Sequence, residues 1–198
     1  MNVFTVIAIQ TALLFFLQFG ARVLPSTFLA RKLCHAGSGL LMLQLDPHDF
    51  VARAFVCTVV ATSLALTWRL LPGVPILRFG APYDAGITVY LLIVGFWFLA
   101  RQNPAALAPL FFADPAGAVV GKAASARGLN FAWWQNKTAA GTLAVFLVAW
   151  ASLDAPPAAR LGVAAACAAA EAFGGKTFDN AVIAVPALAS WLVFHGWA

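Results

Sequence analysis

From Val3 to Phe19 the chain runs for 17 residues without a charge, interrupted only by Thr5, Gln10, Thr11 and Gln18. That length is close to the minimum for a helix that crosses a bilayer. The pattern then recurs, with apolar segments set between short polar turns down to the C-terminal region. In hydrocarbon every backbone N–H and C=O must be satisfied within the protein, so long apolar runs of this kind fold as helices. The whole chain is 63% hydrophobic and 10% charged with mean hydropathy +0.88, which excludes an ordinary water-soluble domain. A formal charge of +5 would otherwise suggest nucleic acid. In so apolar a chain the cations instead set topology or hold an anionic ligand or lipid, and no nucleic-acid partner is expected. Cys34, Cys57 and Cys167 have neither CxxC spacing nor a framework pattern, and they read as free thiols.

The expected architecture is all-α, a polytopic membrane protein of seven to eight transmembrane helices forming one domain over residues 1–198. After Val3–Phe19 come Phe28–Leu45, with Pro25, Ser26 and Thr27 as turn and cap, and Phe50–Leu71 with Trp68 and Arg69 as interfacial anchors. No basic residue precedes the first segment, which therefore reads as a membrane helix rather than a signal peptide. A linker, Pro72–Asp84, is too rich in Pro and Gly to continue a helix. Ala85–Ala100 and Ala105–Gly121 follow, then the longest polar connection, Lys122–Lys137, then Thr138–Leu153, Ala158–Phe173 and Ala181–Trp197. The second and seventh segments are the weakest spans, being short or charged at their ends.

With the first helix running from outside to inside, nine cations face inward: Arg22, Arg31, Lys32, Arg69, Arg78, Lys122, Arg127, Lys137 and Lys176. Three remain outside, Arg53, Arg101 and Arg160. This asymmetry places the polar clusters on the cytosolic face, in what reads as a prokaryotic cytoplasmic membrane.

Four constellations stand out. Asp114 lies inside an apolar run, and an ionisable group there is expensive enough to be a functional candidate by default. Gly117 and Gly121 share its helical face, with Lys122 adjacent; the glycines admit either a phosphate or a neighbouring helix. Lys137, Thr138, Gly141 and Thr142 open a helix, where a lysine, hydroxyls and the positive dipole end suit phosphate oxygens. The competing reading is an interfacial lysine beside Trp133 and Trp134, with threonines bonding their own backbone. Arg31 and His35 are i, i+4 neighbours, followed by Gly39, and Lys32 adjoins them; these cations hold phosphate or simply anchor the helix. Glu171, Asp179 and Asn180 flank a Gly174–Gly175–Lys176 turn and offer ligands for Mg2+. Otherwise they are a helix-end pair of Glu171 with Lys176, and Asp179 as an N-cap.

Taken in order, these elements resemble the phytol kinase, dolichol kinase and CTP-dependent diacylglycerol kinase family of integral membrane lipid kinases. The family has RKxxHxxxG, GDxxAxxxGxxxG and KSxxGS elements, then a late Glu and a DN pair. The chain reads Arg31-Lys32-Leu33-Cys34-His35-Ala36-Gly37-Ser38-Gly39, then Ala113-Asp114-Pro115-Ala116-Gly117 to Gly121 and Lys122. It continues with Lys137-Thr138-Ala139-Ala140-Gly141-Thr142 and Glu171 with Asp179-Asn180. Ala113 stands where the family has glycine, and Thr138 and Thr142 replace two serines while keeping the hydroxyl.

The resemblance implies phosphoryl transfer from CTP or another nucleoside triphosphate to a lipid alcohol, with Mg2+ as cofactor. By the same resemblance Asp114, His35 and Lys137 are the catalytic candidates. Arg31, Lys32, Gly117, Gly121, Lys122, Lys137, Thr138, Gly141 and Thr142 bind nucleotide, and Asp114, Glu171, Asp179 and Asn180 hold metal. Partners would be an isoprenoid or polyprenol alcohol such as phytol or farnesol, the triphosphate and membrane lipids; small-residue faces also permit a homo-oligomer. A diacylglycerol kinase or phosphatidate cytidylyltransferase would use similar clusters. An ion-coupled transporter would use Asp114 as a relay.

Overall fold

The computed structural model describes residues 1–129, 131–134, 137–175 and 178–197, and for Asp179 the backbone alone. Among them are eight α-helices: α1 Val3–Phe19, α2 Thr27–Met42, α3 Phe50–Thr67, α4 Ala85–Leu99, α5 Ala108–Ala126, α6 Ala139–Ser152, α7 Pro157–Phe173 and α8 Asp179–His195. A 3-10 turn, Pro104–Leu107, leads into α5, and a two-stranded hairpin pairs β1 Ala132–Trp134 with β2 Lys137–Thr138. The fold is all-α apart from this hairpin. Two helical stretches, Phe50–Thr67 and Pro104–Ala126, are long and apolar enough to cross a membrane, whereas α1, α4, α6 and most of α8 are apolar but shorter.

Local chemistry explains where the helices start and stop. Ser26 Oγ accepts from Leu29 N at 3.2 Å, Asp49 Oδ1 from Val51 N at 2.7 Å and Asp84 Oδ1 from Ile87 N at 2.9 Å, each an N-cap that satisfies an orphan donor. At the other ends, α3 and α4 turn off through Arg69 (φ 53°) and Arg101 (φ 59°). The amides of Leu70 and Gln102 there reach back five residues, to the carbonyls of Ala65 and Trp97.

One sequence boundary is corrected. The polar connection expected from Lys122 to Lys137 begins as helix, because α5 continues to Ala126, and it contains β1 and the first residue of β2. Hydropathy falls at Lys122, yet Lys122-Ala123-Ala124-Ser125-Ala126 is rich in strong helix formers. Pro115 sits inside α5.

The chain divides into two compact units, Met1–Pro104 and Ala105–Ala198. In the first, α1 packs on α2 and α3 on α4. Its linker is strapped to the end of α1: Arg78 donates from Nη1 to the Leu17 carbonyl at 3.1 Å and from Nη2 to the Leu24 carbonyl, while its amide donates to Gln18 Oε1 at 2.8 Å. Phe79, beside it, is buried with Leu17 and Ala30.

In the second unit α5 packs on α6, α6 on α7, α7 on α8, and α8 returns to α5. Ala113, Val145, Ala149, Ala164, Cys167, Ile183 and Ala187 are among its buried core. Small residues dominate because the helices cross closely. A Cβ on Gly117 would stand 2.4 Å from Val145 Cγ2, and one on Gly141 would stand 2.9 Å from the Gly117 carbonyl oxygen. The close approach that Gly117 and Gly121 permit is thus made by α6.

Candidate functional site

The helix order of the second unit collects polar groups at one end. Gly121 of α5 faces Thr138 and Gly141 of α6, while Gly117 faces Gly141 and Val145, so the two helices run antiparallel. An ion pair from Lys137 Nζ to Glu171 Oε1 joins the start of α6 to the end of α7. The same end therefore holds the last turns of α5 with Gly121 and Lys122, the hairpin, the first turn of α6, and Glu171. Asp179 and Asn180 open α8 where it leaves the turn after α7. The opposite end holds Asp154 and His195, 3.4 Å apart, with His195 stacked on Trp191 at 4.0 Å.

Lys137 and Glu171 are shielded, their side chains 20% and 10% exposed. The sequence offered Lys176 as the partner of Glu171; Lys176 lies outside the described residues, and the partner seen is Lys137. Thr138 is the N-cap of α6, its Oγ1 accepting from Gly141 N at 3.0 Å. That bond realises the backbone-bonding alternative for Thr138. Thr142 Oγ1 instead accepts from Trp133 Nε1 at 3.0 Å. Lys122 is exposed on α5.

Asp114 is 4% exposed on α5, beside the core residue Ala113. It precedes Gly121 by two helical turns, about 10 Å along the axis. It therefore sits deeper in the bundle than the Lys137–Glu171 pair. Asn180 Oδ1 is buried, and the Asp179 side chain lies outside the described residues. Phe178, without a side-chain bond, takes the cap position of α8, and Asp179 is its first helical residue.

Among the described residues no group of three His, Cys, Asp or Glu side chains forms a metal cluster. Asp114, Glu171 and Asn180 all belong to the second unit, on α5, α7 and α8.

Arg31, Lys32 and His35 belong to the first unit. Arg31 Nη2 pairs with Asp84 Oδ2 at 2.8 Å, so one carboxylate both caps α4 and holds the arginine. His35 packs on Tyr90 with ring centroids 4.3 Å apart. Nearby, Gln10 Nε2 donates to Ser38 Oγ at 2.8 Å. No spacing in the sequence points to Asp84 or Phe173 as neighbours of these groups. For the hairpin that sets Trp133 and Trp134 beside Lys137 a signal exists: only two residues separate Trp134 from Lys137, which is hairpin spacing.

Compared with protein-family models, curated proteins and solved structures, the chain matches none.

Proposed function

We propose that this chain is an integral membrane kinase that moves the γ-phosphate of CTP or another nucleoside triphosphate onto a lipid alcohol of the isoprenoid or polyprenol type. The observation that carries the reading is the convergence, at one end of a single bundle, of Lys137, Glu171, Thr138, Gly141 and Gly121. These residues come from three of the motifs whose order resembles the lipid kinase family.

The same reading has seven to eight membrane-spanning helices. In its support, large apolar side chains are exposed on outward helix faces: Phe4, Phe15 and Phe19 on α1, Leu92 and Phe96 on α4, Leu143 and Leu147 on α6, and Val185 and Val193 on α8. Such surfaces suit lipid rather than water. Helices of 14–17 residues reach roughly 21–26 Å, so α1, α4, α6 and α8 span with help from their flanking residues. The lysine-bearing end faces the cytosol of a prokaryotic cytoplasmic membrane, and the alcohol arrives laterally from the bilayer.

Phosphoryl transfer depends on positioning and charge stabilisation more than on covalent chemistry by the protein. Mg2+, when bound, neutralises charge on the triphosphate oxygens. Lys137 and Lys122 supply cationic donors to the phosphates; Asp114, Glu171, Asp179 and Asn180 are the oxygen ligands on offer. Asp114, buried on α5, accepts the proton of the substrate hydroxyl. The test is a screen of lipid alcohols against four nucleoside triphosphates, with Asp114→Asn shown to fold by its unfolding transition. Loss of phosphorylated lipid in that variant is expected. Full activity in it would refute the site assignment.

A further inference from the structure

The hairpin brings an aromatic surface to the proposed phosphate end. Trp134 is the cross-strand partner of Lys137, and the last turn of α7 touches both: Glu171 pairs with Lys137, and Phe173 meets Trp134 with ring centroids 5.3 Å apart at 70°. Phe173 also meets Trp133 edge-on at 6.0 Å, and the Trp133 indole is pinned through Nε1 to Thr142 Oγ1. Three rings are therefore fixed beside the lysine, yet Trp134 remains 44% exposed and Phe173 60% exposed. An edge-on arrangement holds the Trp134 ring without covering it with a parallel neighbour.

We propose that Trp134, braced by Phe173, is the stacking platform for the base of the nucleoside triphosphate whose phosphates meet Lys137. The proposal rests on the kinase reading and deepens it by stating how the donor is recognised. Aromatic stacking accepts any base, because every base presents a π-face. The site therefore takes nucleoside triphosphates as a class and discriminates weakly among the four bases. Membrane-interface anchoring is the other use for exposed indoles at the end of a helix bundle. The ion-paired lysine and the bracing from α7 favour the nucleotide, since an anchor needs neither.

The test uses the full chain in nanodiscs and equilibrium binding of two probes, CTP and inorganic tripolyphosphate. The wild type should bind CTP about five- to a hundredfold more tightly than tripolyphosphate, the range expected for one stacked base. Trp134→Leu should bring the two affinities within about twofold by weakening CTP alone, and Trp134→Phe should restore most of the difference. Tripolyphosphate binding, unchanged in both variants, certifies that the phosphate end is intact. If Trp134→Leu keeps the preference for CTP, the platform assignment is overturned while the kinase reading stands. If neither probe binds the wild type, both are overturned. In nanodiscs containing brominated phospholipid, the part of the fluorescence lost in Trp134→Phe should be less quenched when CTP is bound. Equal quenching with and without CTP would assign the ring to the membrane interface and overturn the proposal.

Discussion

Gly141→Ala tests the helix crossing that shapes the candidate site. An added Cβ would lie 2.9 Å from the Gly117 carbonyl oxygen, 2.9 Å from Thr138 Oγ1 and 3.4 Å from Gly121 Cα. Two of these atoms are backbone of α5, which can yield only if the helices separate. Overpacking of this kind costs about 1–3 kcal/mol. Displacing Thr138 from its cap adds about 1 kcal/mol. Against this, alanine is a better helix former than glycine by about 1 kcal/mol. The net expectation is a loss of about 1–3 kcal/mol. Gly162→Ala on α7 is the matched control, because a Cβ there meets nothing within 4 Å. It should be neutral or stabilising by up to about 1 kcal/mol. Equilibrium unfolding in detergent, followed by helical circular dichroism, measures both. A Gly141→Ala protein as stable as wild type, or one that shifts in the same direction as Gly162→Ala, would refute the close crossing.

Three further outcomes concern the Lys137–Glu171 ion pair and the Arg78 strap. Removing Lys137 alone, as Lys137→Met, leaves Glu171 shielded without its partner and should cost about 2 kcal/mol, the buried-pair penalty discounted for partial exposure. Lys137→Met with Glu171→Met should recover most of that stability yet leave no kinase activity, which separates folding from function in one assay set. Arg78→Ala removes two charge-assisted bonds to the Leu17 and Leu24 carbonyls and should destabilise the first unit by about 2–3 kcal/mol. Thermolysin should then cut between residues 72 and 84 faster than in wild type.

Much of the local structure is legible in the sequence, because it is set by short-range rules. Apolar runs marked the helices, and the turn before α2 and the polar turn before α3 supplied the caps Ser26 and Asp49. The rest is obscured where one signal stands in for another. Hydropathy ends the fifth segment at Gly121, but helix formation depends on backbone propensity, and α5 runs on with Lys122 exposed on its last turns. Lys137, the partner seen for Glu171, is 34 residues distant and meets it because the start of α6 lies against the end of α7. Spacing along one helix carries no such information. Gly117 and Gly121 were legible as a close-contact face, but which surface fills it depends on α6 and on Val145. The hairpin is less legible, because Trp133 and Trp134 beside Lys137 equally suit an interfacial lysine.

The most direct measurement of the central claim supplies the purified protein with a lipid alcohol and with CTP labelled at either the γ or the α phosphate. The account predicts label in the lipid product from γ-labelled CTP and none from α-labelled CTP. Label arriving from the α position would make the chain a cytidylyltransferase. Ion flux in liposomes without nucleotide, lost in Asp114→Asn and accompanied by no labelled lipid, would make it a transporter and contradict the account.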